Sequence, residues 1–270
     1  MNPELLRPLG DVYIKDRFLI FFGNKLATLE KISQVISREH SILKQVHGTA
    51  CTKAKIGVDH TEADAQWTDN NKLLPLIKTA DCLPIMIIDS NSNKCLSIHA
   101  GWKGVKNKVA PASIQGIGVQ DPSALKVWIG PHLQKESFEV DRDVSDEIFS
   151  GINRDDHLVS QKWDKFYIKL SEIIVRQLIP LGILREQIQI SEIDTRYEDM
   201  IASLSTRDDI LFFALDDNQA TDIANRYVDV ISLPEIPRIS VIDGHPNPEG
   251  HRIIADSMQA FIQEAIEESC

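Results

Sequence analysis

The stretch Thr79-Ala80-Asp81-Cys82-Leu83-Pro84 leads into an apolar segment, Leu83 to Asp89, whose length and composition are those of a buried β-strand. A second such strand, Lys94 to Ile98, runs into Ser97-Ile98-His99-Ala100-Gly101-Trp102-Lys103-Gly104. A thiol and an imidazole therefore stand at turn-like breaks beside neighbouring strands. Side chains from distant parts of a sequence converge at such strand ends.

A second histidine lies upstream, where the predicted strand Ile42 to Val46 ends in Gln45-Val46-His47-Gly48. We predict that His47, Cys82 and His99 together bind Zn²⁺ and leave one tetrahedral position open, as catalytic zinc sites do. Copper also binds imidazole and thiolate ligands. The spacings of 35 and 17 residues match no zinc finger. The residues alone therefore leave an alternative open, in which the two histidines are ordinary hydrogen-bonded residues and the cysteine is a small buried apolar group.

The remaining apolar patterns mix strands and helices without strict alternation. This order predicts an α/β fold of the α+β sandwich type, in which mixed β-sheets have flanking helices. The further predicted strands are Arg17 to Phe22, Leu73 to Lys78, Leu125 to Ile129 and Gln187 to Ile190. The predicted helices are Leu26 to Glu39, Val105 to Ile117 with an interruption at Pro111, and Trp163 to Leu181 closed by Gly182.

The character of the sequence changes near Arg207, where short strand patterns and a proline-rich segment begin. We predict a metal-binding catalytic domain over residues 1–207 and a C-terminal α/β appendage over residues 208–270. The appendage closes with an amphipathic helix that Asn247 caps and Pro248 begins.

The composition is that of an ordinary soluble protein. Among 270 residues, 40 Asp and Glu oppose 29 Lys and Arg, and the net charge of −11 argues against a nucleic-acid partner because it repels phosphate backbones. No secretory signal precedes the first helix pattern, and Phe18 to Phe22 is far too short to span a bilayer. We expect a cytoplasmic monomer with free thiols, a small-molecule substrate and no membrane partner.

Six short motifs occur in the order seen in one protein family. They are Gln45-Val46-His47-Gly48, Ala63-Asp64-Ala65 with Thr68, Thr79 to Pro84, His99 to Gly104, Ile129-Gly130-Pro131, and Phe138-Glu139-Val140. Over roughly residues 17 to 207 the chain resembles the laccase-domain proteins. That family is also described as multicopper polyphenol oxidoreductases, peptidoglycan editing factors and purine nucleoside phosphorylases. The resemblance implies a laccase-domain-like fold in which His47, Cys82 and His99 bind the metal.

The same resemblance implies a zinc-dependent purine nucleoside phosphorylase that acts on adenosine, inosine, guanosine and methylthioadenosine, with adenosine deaminase activity through a zinc-bound water. Asp81 and Cys82 are then the candidate catalytic residues, with Asp81 as a carboxylate that orients an imidazole. The candidate substrate-binding residues are Gln45, Trp102 as a stacking surface for the purine, and Lys103 and Arg207 as cations for phosphate.

The sequence departs from the family pattern in two places. The usual N-terminal Ser-x-Arg and Gly-Gly-x-Ser segment is shortened, and the later Cys-Thr and Ser-x-Arg-Arg motifs become Asp194-Thr195 and Ser203 to Arg207. The loss of an arginine predicts weak phosphate binding. Two alternatives follow: a copper-dependent polyphenol oxidoreductase, which eight histidines without a His-x-His pair do not favour, and a catalytically degenerate metal-binding scaffold.

The tail contains a separate motif, Asp243-Gly244-His245, followed by Pro246 to His251. It resembles the last block of the SGNH (GDSL-like) hydrolases, in which an aspartate and a histidine serve a serine nucleophile. No Gly-Asp-Ser block precedes it, so we interpret the tail as a fragment of that fold without esterase activity.

Overall fold

The computed structural model describes residues 3–15, 18–24 and 26–196. Strands dominate this part of the chain, and its α-helices are short. The strands are β1 Gly10–Lys15, β2 Phe18–Gly23, β3 Glu39–Lys44, β4 Cys51–Lys53, β5 Gly57–Glu62, β6 Ala65–Thr68, β7 Leu73–Leu76, β8 Leu83–Asp89, β9 Lys94–Ala100, β10 Leu125–Ile129, β11 Glu139–Val140, β12 Val159–Lys162, β13 Lys165–Ile168 and β14 Ile188–Ile190. The α-helices are α1 Leu29–Val35, α2 Trp102–Lys106, α3 Val109–Gly116, α4 Arg142–Ile148 and α5 Leu170–Leu178.

The central element is a mixed six-stranded sheet in the order β14-β10-β8-β9-β6-β4. Its middle pair, β8 and β9, is an antiparallel hairpin in which Leu83 pairs with Ala100 and Asp89 with Lys94. The start of β8 and the end of β9 therefore lie side by side. This register brings the residue before β8 next to the last residues of β9, which is where the predicted metal ligands are.

Both faces of this sheet are covered. Alternate residues of β8, including Ile85 and Ile87, face a large apolar core that the helices α3 and α5 complete. On the opposite face, Ile88 and Trp128 pack against the hairpin of β1 and β2. Burial on both faces explains why β8 is an almost continuous apolar run. The predicted mixed α/β architecture with flanking helices is thus confirmed.

Two three-stranded sheets complete the fold. The first has the order β5-β3-β7, with parallel pairs on both sides of β3, and the second has the antiparallel order β11-β13-β12. Because β3 ends at Lys44, the segment after it carries His47 toward the end of the β8–β9 hairpin. The site is therefore assembled from two different sheets.

Three helix predictions need correction. The first helix covers Leu29–Val35 rather than residues 26 to 39, because Glu39 already belongs to β3. The second divides into α2 and α3 at Lys108, which has a left-handed φ of 61°, while Pro111 lies without a break in the first turn of α3. The third begins only at Leu170, because residues 159–168 form the β12–β13 hairpin around Trp163, whose φ is 56°.

The described residues belong to one compact unit, Met1–Arg196. The predicted boundary near residue 207, the appendage and the hydrolase-like tail motif all lie outside the described residues. Among the helices that the structure does describe, none combines the length and the apolar character needed to cross a membrane.

Candidate metal centre

His47 lies in the loop after β3, with its side chain exposed and its backbone in the left-handed region at a φ of 59°. This conformation is uncommon for residues other than glycine and persists where the surrounding structure holds it in place. The carboxylate of Asp64 provides it, because it accepts the backbone N–H groups of Val46 at 3.2 Å, His47 at 2.9 Å and Gly48 at 2.6 Å. Asp64 therefore holds the whole turn that presents the first imidazole.

His99 lies near the end of β9 and is 3% exposed. Its Nδ1 lies 2.8 Å from Oδ1 of Asp64, and because a carboxylate accepts hydrogen bonds, Nδ1 carries the proton. The lone pair of the His99 ring is then on Nε2, which is the arrangement found for imidazoles that bind metals. Asp64 thus orients both histidines, one through its ring and the other through its backbone.

Asp64 is completely buried. Burial acts to raise its pKa, but the hydrogen bonds from His99 and from the backbone of Gly48, Val46 and His47 outweigh burial and hold the pKa below its ordinary value. The imidazole of His99 is thus oriented by Asp64, and the role of orienting an imidazole that the sequence predicts for Asp81 does not apply to this ring. An acid between two small apolar residues in Ala63-Asp64-Ala65 was the available signal.

Cys82 precedes β8 and is partly buried. Its Sγ lies 3.8 Å from Nε2 of His47, and the rings of His47 and His99 meet edge to face with centroids 4.7 Å apart. Burial raises the pKa of the Cys82 thiol, and the charges of Asp81 and Asp64 raise it further. The structure thus brings the three predicted ligands together, with their ligand atoms all within 4.8 Å of one another.

One pair of this group already has nearly the separation that a tetrahedral ion requires. Zinc at about 2.0 Å from nitrogen and 2.3 Å from sulfur places those two atoms about 3.5 Å apart, and Nε2 of His47 lies 3.8 Å from Sγ of Cys82. The absence of a side chain at Gly101 is part of the fit. A Cβ there would lie 2.7 Å from Cδ2 of His47 and 3.1 Å from Sγ of Cys82. Glycine is therefore what allows the two ligands to approach.

Gln45 joins the loops that carry two of the ligands. Its Nε2 donates to the carbonyl of Lys78 at 2.7 Å, and its Oε1 accepts the Lys78 N–H at 2.8 Å. Both ends of the amide are thus used to hold the segment that leads to Cys82. Gln45 therefore positions the segment that carries Cys82. Its predicted role in substrate binding stays a prediction.

Asp81 is exposed next to Cys82, and its Oδ1 accepts the hydroxyl of Thr195 at 3.1 Å. Its backbone carbonyl accepts the N–H of Leu133 at 3.1 Å.

Trp102 begins α2 and is partly buried against the main core, while Lys103 is exposed with Nζ 5.5 Å from the centroid of the Trp102 ring. Arg207 lies outside the described residues.

His132 contributes to packing rather than to the metal centre. It is 1% exposed, its Nδ1 donates to the carbonyl of Gly130 at 2.7 Å, and Gln134 contacts its Nε2 at 3.4 Å. Burial is the main cause that lowers the pKa of His132 to about 4. The ring is therefore neutral at physiological pH.

A cavity of about 990 Å³ lies away from the ligands. Its lining comes from β2, α1, β7 and the β8–β9 turn, and it includes Phe18, Ile36, Leu74 and Met86 but none of the three ligands. The three ligands instead lie where the exposed His47 reaches solvent.

Comparisons with known proteins show the family to which the chain belongs. A family model described as multi-copper polyphenol oxidoreductase laccase matches residues 24–202. A purine nucleoside phosphorylase of Pseudomonas aeruginosa is 33% identical over 116 residues, which are 43% of this chain and 47% of that protein. A purine nucleoside phosphorylase of Haemophilus influenzae is 26% identical over 187 residues, 68% of this chain and 75% of that protein. The match thus spans about half the length of the first relative and three quarters of the second.

Solved structures show the same fold. The hypothetical protein YfiH of Bacillus licheniformis has a TM-score of 0.57 at 22% identity, over 62% of this chain and 70% of that one. A Neisseria meningitidis protein has a TM-score of 0.56 at 24% identity, over 63% of this chain and 70% of that one.

Proposed function

We propose, from the premise that the chain belongs to the multi-copper polyphenol oxidoreductase laccase family, that it is a zinc-dependent purine nucleoside phosphorylase. The observation that carries the proposal is the convergence of His47, Cys82 and His99 within 4.8 Å at an accessible edge of the fold. Relatives named purine nucleoside phosphorylase support the reaction class. The substrates proposed are adenosine, inosine, guanosine and methylthioadenosine.

Three ligands leave one tetrahedral position for a reactant. A zinc ion held by His47, Cys82 and His99 would supply a Lewis acid to a substrate oxygen or water. Asp64 keeps His99 in the tautomer that presents Nε2, and Gly101 leaves room for the other two ligands. The chain therefore contributes a preorganised donor set with one exposed side.

Phosphorolysis requires phosphate to attack the anomeric carbon of the ribose while the purine leaves. Because the protein has a net charge of −11, bound phosphate needs a positively charged side chain close to the site. Lys103 is an exposed candidate, two residues after Gly101, which lies against His47 and Cys82. Trp102 offers an aromatic surface for the purine. Arg207, outside the described residues, stays a proposed second cation.

Adenosine deamination replaces the amino group on the purine ring with water and releases ammonia, and a metal held by His47, Cys82 and His99 would supply the activation of that water. Phenol oxidation by several coppers is less favoured. Within the described ranges one group of three His, Cys, Asp or Glu side chains has metal-binding geometry, and the full sequence contains no His-x-His pair.

The test uses the purified full chain loaded with zinc and incubated with inosine. We expect hypoxanthine and ribose 1-phosphate only when phosphate is present. Cys82→Ser should abolish this release, whereas Cys95→Ser, a matched change at a partly buried thiol outside the centre, should retain it.

Bound zinc without turnover of any of the four nucleosides would refute the proposal and favour a degenerate scaffold. Oxygen uptake with a phenol after copper loading would instead favour the polyphenol oxidoreductase. Ammonia release from adenosine without phosphate tests the deaminase activity.

A further inference from the structure

The segment that contains Asp194 and Thr195 returns to the metal centre from a distant part of the sequence. Thr195 is 6% exposed, and its N–H donates to the carbonyl of His132 at 3.2 Å. Its hydroxyl donates to Oδ1 of Asp81 at 3.1 Å, across 114 positions of the sequence. A buried and doubly held threonine therefore fixes the carboxylate that stands beside the metal ligand Cys82.

Asp81 itself differs from the other carboxylate of the site. Asp64 is completely buried, and hydrogen bonds from the chain occupy both of its oxygens. Asp81 is exposed, and within the described ranges Thr195 is the partner of one oxygen while Oδ2 has none. It directly precedes the ligand Cys82 in the segment that leads into β8. Asp81 is thus a fixed hydrogen-bond acceptor that faces solvent next to the metal ligand Cys82.

The charge of Asp81 restricts what it can bind. A carboxylate repels phosphate and accepts hydrogen bonds from neutral donors. Adenosine, inosine and guanosine differ in the donors on their purine edges, and methylthioadenosine lacks the 5′-hydroxyl. The hydrogen-bond donors common to all four nucleosides are the 2′- and 3′-hydroxyls of the ribose.

We infer that Asp81, held in position by Thr195, accepts hydrogen bonds from these ribose hydroxyls and, because 2′-deoxyribonucleosides lack one of them, makes the site selective for ribonucleosides over 2′-deoxyribonucleosides. This inference rests on the proposed function. Asp81 is then a specificity-determining residue, and Thr195 is a positioning residue that acts through it.

Selectivity should be visible in the ratio of kcat/KM for inosine to that for 2′-deoxyinosine. A hydrogen bond to a charged group at a partly solvated site corresponds to a ratio of roughly 10 to 100 in the wild type. Thr195→Val keeps the shape of the side chain but removes the donor, so the ratio should fall below about 3, mainly through a higher KM for inosine. Thr195→Ser restores the hydroxyl and should restore most of the ratio.

Thr68→Val is the matched control, because Thr68 is 4% exposed and its hydroxyl bonds only to the neighbouring Asn70. It should leave the ratio unchanged even if the melting temperature falls. Zinc content should be equal in all variants. A wild type that does not discriminate, or a Thr195→Val variant with the wild-type ratio, would overturn the inference.

Calorimetric titration without phosphate separates this inference from the proposed phosphorolysis. Zinc-loaded protein that binds inosine more tightly than 2′-deoxyinosine, with the difference lost in Thr195→Val, supports the inference even if no base is released. Equal binding of the two nucleosides in the wild type contradicts it even if turnover is normal. Binding of neither nucleoside, together with no turnover, would sink both proposals.

Discussion

Replacing Asp64 by asparagine should damage the metal centre and the fold together. One oxygen of Asp64 accepts the N–H groups of Val46 and Gly48, and the other accepts the N–H of His47 and Nδ1 of His99. Whichever way the amide is oriented, its NH₂ group faces two donors. Each donor left without an acceptor costs about 1 to 3 kcal/mol, so the free energy of unfolding should fall by about 2 to 6 kcal/mol.

This loss should lower the melting temperature by roughly 5 to 20 °C, at 2 to 4 °C per kcal/mol. Zinc affinity should fall by roughly 10- to 100-fold, as for other carboxylates that orient metal-binding imidazoles. The assays are thermal unfolding by circular dichroism of the metal-free protein, and competition for zinc with a chromophoric chelator.

Asp89→Asn is the matched control. Asp89 is 5% exposed and accepts hydrogen bonds from the backbone N–H groups of Asn91 and Ser92, but it lies at the far end of the β8–β9 hairpin. Its replacement should lower the melting temperature and leave zinc affinity unchanged. Wild-type zinc affinity in Asp64→Asn, or an equal loss of affinity in both variants, would refute the reasoning.

Three further changes test other contacts. Gly101→Ala should weaken zinc binding by roughly tenfold, because the new methyl group displaces the first imidazole and the thiol, whereas Gly116→Ala, which meets no atom within 4 Å, should not. Gln45→Ala removes both hydrogen bonds to Lys78 and should lower the free energy of unfolding by about 1 to 3 kcal/mol in urea titrations. His132 has a folded-state pKa of about 4 against an ordinary 6.5, so the unfolded chain binds more protons between these values and stability decreases as the pH is lowered through this range. Its contribution should decrease by about 2 kcal/mol from pH 7.5 to pH 5, a slope that His132→Gln should lack.

The comparison of wild type and variant is needed for the last measurement, because burial raises the pKa of the nearby Asp194 and acts in the opposite direction. An identical pH slope in both proteins would contradict the assignment to His132. For the other two, unchanged chelator competition in Gly101→Ala and an unchanged urea midpoint in Gln45→Ala would be the contrary results.

The apolar strands were predictable from the sequence because burial on both faces leaves a strong pattern. Leu125–Ile129 has the predicted bounds, and β8 also has them. Short polar strands such as Gly57–Glu62 and Val159–Lys162 were missed, because strand pairing rather than apolar periodicity defines them. The helix predicted from Trp163 failed because a two-residue turn at left-handed φ depends on pairing between its flanks.

The candidate site was predictable in part. Strand ends and short motifs were enough to select His47, Cys82 and His99. The role of Asp64 was not visible, since it depends on a carboxylate reaching the turn 16 to 18 residues earlier and a ring 35 residues later. The contact of Thr195 with Asp81 was equally hidden, because only the folded chain brings residues 114 positions apart together.

The three metal ligands are not held with equal firmness, because the β8–β9 hairpin positions only two of them. Cys82 and His99 are attached to the same two paired strands, so the hairpin holds them together, while His47 comes from another sheet and is tethered through side-chain amide and carboxylate groups. Partial denaturation should therefore separate His47 from the centre first and leave Cys82 and His99 as the two remaining ligands. The turn between the two strands lies at the opposite end of the hairpin, so we expect a label or an inserted peptide there to leave zinc binding unchanged.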